Sequence, residues 1–402
     1  MNDAPARPLS IAIVAAEESG DALGAALVKA LRAREGDTLK LVGVGGRAMA
    51  AAGIASPFPI DDLAIVGLTA IPQKLPLIFR RIRETVKAVI AAQPDALVII
   101  DSPDFTHRVA RRVRRLAPGI PIIDYVSPQV WAWRPGRARA MRAYIDHVLA
   151  ILPFEPAAHQ RLGGPPCTYV GHPLIERIAE LRPGADEAKR READPPLVLA
   201  LPGSRGNEIK RLLGLFGETL GQVAARTGAI DLVLPTVPHL LKRVREGTAN
   251  WPARPRIVVE QAEKWAAFRS ARAALAASGT VTLELALSGV PTVAAYRLHE
   301  FEAVIARLIR LRTRLPSMIL ANLAIGENVM PELLQEDCTV EKLTVALLPL
   351  LSDTPDRRRQ VEGFARLDRI MGIAEARSGA ASNSAKAADI VLAAARRGRT
   401  SD

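Results

Sequence analysis

Three groups of residues carry side chains whose types and spacing suit chemistry. In Ile99-Ile100-Asp101-Ser102-Pro103-Asp104-Phe105, two carboxylates follow an apolar run. A carboxylate at the end of a buried strand can serve as general base toward a hydroxyl, and Asp101 stands where that role needs it. Asp104, just after Pro103, reads better as a helix cap. The D-x-x-D spacing would also suit a metal, but no third ligand is legible.

The second group is Leu201-Pro202-Gly203-Ser204-Arg205-Gly206-Asn207-Glu208, between an apolar run and a long helical pattern over 209–226. Glycine lets backbone amides approach a ligand, a helix N-terminus favours an anion and Arg205 adds a forked positive charge, which together suit a diphosphate. An ordinary turn capped by Ser204 or Asn207 would look the same. The third group, Ser278-Gly279-Thr280-Val281-Thr282-Leu283-Glu284, repeats the arrangement and places Glu284 one turn into a helix, where it could accept from a ribose diol. A capping box fits these residues too, but two such loops on one sheet favour a ligand.

Two further segments bear on the substrate. Tyr125 to Arg137 sets Trp131 and Trp133 beside Arg134 and Arg137, aromatic faces and cations that suit sugars and phosphates. The tryptophans individually fit packing, and the arginines are the better contacts. Ile65, Val66, Leu68, Ile71, Leu75, Leu77, Ile78 and Phe79 form an apolar run broken by prolines and closed by Arg80 and Arg81. This pattern fits a surface that dips into acyl chains while arginines meet phosphates, or a core helix with a solvated basic end. The basic helix over 107–115 reads as a solvated face.

The elements that must position these groups alternate. Apolar runs at 10–16, 41–44, 96–100, 121–126 and 147–152 read as strands with amphipathic helices between them, the pattern of a parallel sheet covered on both faces. After a Pro-, Gly- and charge-rich stretch at 183–196 the rhythm restarts, with strands expected at 197–201, 230–234, 256–259, 273–277 and 292–296. We expect an acceptor and membrane domain over 1–172 and a nucleotide domain over 173–354, joined after Gly171-His172-Pro173. Helices from about 355 are expected to pack back on the first domain and to end in a mobile basic tail. The cleft between two such sheets is where a ligand is expected.

Composition bounds the function class. The 402 residues are 49% hydrophobic, enough for large cores. A net charge of +12, from 54 basic and 42 acidic side chains, predicts attraction to polyanions without choosing among them. The two cysteines, Cys167 and Cys338, lack metal-ligand spacing and argue against a disulfide framework, which suits a reducing cytoplasm. The N-terminus lacks the form of a signal peptide, and no apolar run reaches the roughly 18 residues of a membrane span, so membrane association is expected to be peripheral.

Ala16 to Asp21 (A-E-E-S-G-D), I-D-S-P-D-F at 100–105, S-P-Q-V-W-A-W-R at 127–134, V-G-H-P at 170–173, L-P-G-S-R at 201–205, S-G-T-V-T-L-E at 278–284 and P-E-L-L-Q at 331–335 occur in order along nearly the whole chain. This series resembles the lipid-A-disaccharide synthase family. The resemblance implies a GT-B architecture: two Rossmann-like doubly wound parallel-sheet domains facing a central cleft, with UDP in the second and the acceptor in the first. It implies inverting transfer of diacylglucosamine from UDP-2,3-diacylglucosamine to the 6-hydroxyl of 2,3-diacylglucosamine 1-phosphate. Asp101 would be the base. Gly203, Ser204, Arg205, Glu208, Ser278, Gly279, Thr280, Thr282, Glu284, Asn322, Glu332 and Gln335 would line the UDP site. Glu18, Ser19, Asp21, Ser127, Gln129, Trp133, Arg134 and His172 would face the acceptor or cleft, and the patch from Ile65 to Arg81 an anionic membrane at the cytoplasmic face of the inner membrane.

Neither metal nor other cofactor is expected, because arginine and helix dipoles can stabilise a leaving diphosphate. Nucleic acid is not an expected partner, and the oligomeric state is open. Similar proteins often carry glycine where this chain has Ala16 and a small residue where it has Glu18, so the acceptor loop departs from the family pattern. The muramyl-lipid glucosaminyl transferase and the UDP-sugar 2-epimerase share the implied architecture, but the tryptophan loop and I-D-S-P-D-F count against both.

Overall fold

The computed structural model describes residues 7–63, 71–132, 134–297, 316–374 and 382–399, with only the backbone described at 71–74 and 399. They form two compact units, one of Met1–Pro173 with Ala376–Asp402, the other of Leu174–Glu375.

The first unit holds strands β1 Ser10–Ala15, β2 Lys40–Val44, β3 Ala96–Ile100, β4 Ile122–Tyr125, β5 His147–Ala150 and β6 Cys167–Tyr169, all parallel, in the order β2-β1-β3-β4-β5-β6. β1 and β3 are buried along their whole length, so helices must cover both faces of the sheet. On one face Ile11, Ile13, Val98 and Ile100 pack with Leu27, Leu31, Val391 and Leu392; on the other Val14, Leu97 and Ile99 pack with Val86, Val109 and Met141.

The second unit holds β7 Leu197–Leu201, β8 Asp231–Pro235, β9 Arg256–Val258, β10 Ala273–Ala277, β11 Thr292–Tyr296 and β12 Glu332–Leu334, parallel in the order β12-β11-β10-β7-β8-β9. Each order reverses direction once, between β1 and β3 and between β7 and β10. At such a reversal the connections leave to opposite sides and open a crevice at the carboxyl ends of the strands. The loops after β1, β3, β7 and β10 therefore carry the groups that can meet a ligand.

One expectation about the C-terminal helices is corrected. The helix Pro355–Ile370 belongs to the second unit, not the first. Gln360 Oε1 accepts the Thr292 N–H at 2.8 Å, Arg357 donates to the carbonyls of Arg272 and Leu350, and Asp368 pairs with Arg182. Among the described C-terminal helices, only the last, Asn383–Arg399, returns to the first unit. There Ala387, Ala388, Val391 and Leu392 enter the core, and Asn383 Nδ2 donates to the His172 carbonyl at 2.8 Å. The basic tail expected to be mobile is helical to Arg399, and 400–402 lie outside the described residues.

Candidate active site

Asp101 is the first residue past β3, at the reversal point of the first sheet. It and Ser102 both adopt left-handed backbone, with φ of 51° and 44°. Val126, just past the neighbouring β4, does the same at 82°, a severe outlier for a β-branched side chain. Such conformations persist only where surroundings over-determine them, and they concentrate at functional sites. Here the parallel ladder continues into the strained turns: Asp101 N–H donates to the Tyr125 carbonyl at 3.1 Å and Val126 N–H to that of Leu149 at 3.0 Å. Thr106 Oγ1 donates to the Asp101 carbonyl at 2.6 Å.

The Asp101 carboxylate accepts the Ser102 N–H at 2.8 Å, while Ser19 Oγ approaches its other oxygen at 3.5 Å. Burial raises its pKa above the ordinary 3.8, opposed by the Ser102 N–H and reinforced by the carboxylates of Glu17 and Asp124. A carboxylate so placed is a stronger proton acceptor than a solvated one. Asp104 is exposed, and its nearest cation, Arg137, is 3.8 Å away.

Ser19 and Glu18 begin the helix Glu18–Glu35 beside this carboxylate, exposed as an acceptor contact requires. Asp21 departs from expectation. Its carboxylate is 3% exposed and accepts the N–H groups of Gly46, Ala48 and Met49 at 2.7 to 3.0 Å, capping the helix Arg47–Ala51. Those bonds leave it no role at a ligand. Gln129 and Arg134 are exposed, Ser127 is buried and Trp133 lies outside the described residues. His172 is also corrected: it is buried, and burial drives its pKa down to about 4, so a neutral imidazole packs inside the first unit.

In the second unit the two candidate loops differ. At the loop after β7, Gly203 has φ of +116° and Glu208 folds back, its Oε2 accepting the N–H of Ser204 at 3.0 Å and of Arg205 at 3.2 Å. Those two amides are engaged by the chain's own carboxylate, so the diphosphate cradle expected from Gly203 and Ser204 is filled. What the loop presents outward is the Arg205 side chain, 80% exposed and touching Glu208 through Nη1 at 3.1 Å.

At the loop after β10, the helix Thr280–Ser288 starts behind Gly279 with no side-chain cap, and a Cβ on Gly279 would meet nothing within 4 Å. The Thr280 and Val281 amides stand at an open helix end, the arrangement that attracts an anion, while the Thr282 N–H donates to the Gly279 carbonyl at 3.1 Å. Thr280 is exposed, but Thr282 is fully buried and donates to the Gly279 carbonyl at 2.7 Å, which removes it from the ligand set. Glu284, in the next turn, sits 2.6 Å from the Lys264 ammonium, an ion pair not aligned as a hydrogen bond.

Ser278 Oγ donates to Glu332 Oε1 at 3.0 Å, and Glu332 Oε2 accepts from Ser317 Oγ and the Met318 N–H at 3.1 and 3.0 Å. Asn322 is 2% exposed. Its amide donates to Ser317 Oγ and the Met330 carbonyl and accepts from the N–H groups of Val329 and Met330. With its four hydrogen bonds made inside the unit, Asn322 supports the loop and does not line a ligand site. Gln335, half-buried after β12, has φ of 52°. The sequence reading missed Glu17, Lys264 and Ser317. Lys264 and Ser317 act on partners 20 and 15 positions away, across separate elements that no local pattern joins.

The expected membrane patch is partly described. Ile65, Val66 and Leu68 lie outside the described residues, as does the side chain of Ile71. On the helix Ile71–Ala92, Leu75 and Phe79 are exposed, as is Arg80, with Arg108 over the Phe79 ring at 5.8 Å. Leu77 is half-buried and Ile78 packs on the core. Arg81 is corrected: it pairs with Asp62 and Glu84 and stacks on Phe58 at 4.7 Å, so its charge is spent inside the unit. No helix among the described residues is long and apolar enough to cross a membrane. A cavity of about 690 Å³ lined by Arg7, Asp95, Leu116 and Pro121 opens at the amino ends of β1 and β3, opposite Asp101, and carries none of this chemistry.

The description "Lipid-A-disaccharide synthetase" belongs to a family model that matches residues 11–385. A Bradyrhizobium diazoefficiens protein named lipid-A-disaccharide synthase is 60% identical over 389 residues, covering 97% of each chain. One of the same name from Nitrobacter hamburgensis is 60% identical over 382 residues, covering 95% of this chain and 94% of the other. Among solved structures, Acinetobacter baumannii MurG superposes with a TM-score of 0.55 at 17% identity, covering 96% of this chain and 99% of that one. The UDP-GlcNAc 2-epimerase of Neisseria meningitidis, bound to UDP-GlcNAc, gives 0.59 at 11%, covering 92% and 97%. At such identities the likeness is one of fold, the GT-B architecture of two Rossmann-like units. The ordered motifs, the two reversal points and relatives sharing most of their residues agree: the chain belongs to the lipid-A-disaccharide synthase family, glycosyltransferases of lipid A biosynthesis.

Proposed function

We propose that the chain transfers 2,3-diacylglucosamine from UDP-2,3-diacylglucosamine to the 6-hydroxyl of 2,3-diacylglucosamine 1-phosphate, with inversion. UDP leaves and a β-1,6-linked disaccharide 1-phosphate forms. The observation that carries this reading is Asp101, a carboxylate made more basic by burial, held on a strained turn at a sheet reversal. It takes the proton of the acceptor hydroxyl as the oxygen attacks the anomeric carbon from the face opposite UDP.

In the second unit, the open helix end at Gly279–Thr280 and the exposed Arg205 guanidinium receive the diphosphate and stabilise its charge as it leaves. Glu284 receives the ribose diol. These positive groups support a metal-independent transfer. Exposed Leu75, Phe79 and Arg80 support peripheral binding of the first unit to an anionic membrane, at the cytoplasmic face where both lipid substrates would be met.

The test mixes the purified chain with the UDP-sugar in detergent, with and without the acceptor, in chelator, and follows UDP and product. Acceptor-dependent UDP release with a β-linked disaccharide phosphate is expected. Release without acceptor, an epimerised sugar, or release only on restoring a divalent metal would each contradict a stated part of the reading.

A further inference from the structure

We propose that the helix Glu155–Arg161 is a clamp that fixes the loop Ser127–Ala132 through two side chains, making Glu155 and His159 positioning residues for the acceptor. The inference rests on the reading that this loop receives the acceptor.

Glu155 and His159 are four residues apart and so project from one helix face. They meet two loop residues also four apart. His159 Nε2 lies 2.8 Å from Ser127 Oγ, and Glu155 Oε1 accepts the Trp131 indole N–H at 3.3 Å. Glu155 is itself anchored, its Oε2 accepting the Leu152 N–H at 3.0 Å just past β5. Phe154 meets the Trp131 ring edge-on at 5.1 Å, so the indole is fixed through both its ring and its N–H. Behind His159 there is no slack: a Cβ on Gly164 would stand 2.5 Å from its Nδ1.

What the clamp holds is the strained exit from β4. Val126 keeps φ of 82° immediately before Ser127, and only an over-determined loop retains such a conformation. Between and beyond the two grips, Gln129 and Arg134 are exposed.

A purely structural origin fits poorly. Glu155 is 1% exposed and His159 not exposed at all, and polar groups so deep disfavour folding relative to well-packed apolar ones. A fold-only role therefore predicts that Leu at either position leaves activity intact in folded protein.

The experiment measures donor and acceptor KM for Glu155→Leu, Glu155→Gln, His159→Leu and Arg134→Ala in protein shown to be folded by circular dichroism. Glu155→Leu and His159→Leu should raise acceptor KM about tenfold and leave donor KM within about twofold, the size expected when a positioned contact is misplaced. Glu155→Gln, whose amide oxygen still accepts the indole N–H while its NH2 is set against the Leu152 N–H, should recover acceptor KM in part.

Unchanged acceptor KM in the folded Leu variants, or a Gln variant as impaired as Leu, overturns the clamp. Should Glu155→Leu fail to fold, His159→Leu decides by the same criterion. Arg134→Ala tests the underlying reading: a raised acceptor KM there with normal Leu variants overturns the clamp alone, and an unchanged one overturns the loop's acceptor role and the clamp with it.

Discussion

Glu208 Oε2 accepts the backbone N–H of Ser204 at 3.0 Å, so the loop leaving β7 closes on a carboxylate of its own chain. Arg205 is then the side chain that this loop presents outward, and in the proposed reaction it meets the donor phosphate. A charge-assisted contact from an arginine contributes about 1.5 to 3 kcal/mol. Arg205→Ala should therefore weaken UDP binding roughly tenfold or more while the thermal transition stays put, as titration calorimetry and calorimetric melting would show. Unchanged UDP affinity would remove Arg205 from the donor site.

The same closure makes a prediction at Gly203. Its φ of +116° is open to glycine, and an added Cβ would lie 2.3 Å from Glu208 Oε2. Gly203→Ala should destabilise the chain by about 1 to 3 kcal/mol, the combined effect of backbone strain and a displaced carboxylate. Urea denaturation would register this, and UDP affinity should fall with it as Arg205 loses its mount.

At Asp101 the expected change is in turnover. Asp101→Asn keeps the shape and the Ser102 contact but cannot take a proton, and should lower kcat by about 100- to 10,000-fold. UDP affinity should be unchanged, because the proposed nucleotide contacts belong to the second unit. Since burial raises the pKa of Asp101, activity of the parent enzyme should fall on acidification at a pH above the ordinary carboxylate value of 3.8. That acid limb should vanish from the residual activity of the variant.

The central strands were legible because their physics is local. β3, β7, β10 and β11 fall at the limits their apolar runs predict, and Asp101, Arg205 and Gly279 stand at sheet ends because strand and helix patterns meet there. Two strands went unread. Cys167–Tyr169 and Glu332–Leu334 are three-residue edge strands, partly exposed, with no apolar run to mark them. The roles of Asp21, Thr282 and Asn322 were misread for a related reason. Each is a polar residue that the resemblance places at the site, and only the fold shows that its hydrogen bonds close on its own unit.

Asn322 makes this difference measurable. Asn322→Ala would remove the bonds this amide makes to the Met330 N–H and carbonyl and one of two at the Val329 N–H, which also donates to the Glu327 carbonyl, while the Ser317 hydroxyl keeps Glu332. Several buried groups losing bonds at once should lower stability by about 2 to 4 kcal/mol. The loop that carries Glu332 should loosen, so UDP affinity falls only as far as Ser278 and Glu332 shift. A variant of parental stability with lost UDP affinity would return Asn322 to direct donor contact.

Glu155 ties stability to pH. Burial pushes its carboxyl up to about 7 from 4.5, against the opposing N–H groups of Leu152 and Trp131. The folded chain then holds a proton that the unfolded chain releases, so between pH 4.5 and about 7 stability falls as pH rises, and above that it is flat. Glu155→Gln removes the titration. The stability of the parent relative to that variant should therefore decline across this window, by on the order of 3 kcal/mol for a carboxyl so displaced, and level off above it. Denaturation of both proteins at a series of pH values measures the difference. A difference that does not change with pH would mean that the carboxyl titrates alike in the folded and unfolded chain, and that burial does not hold its proton.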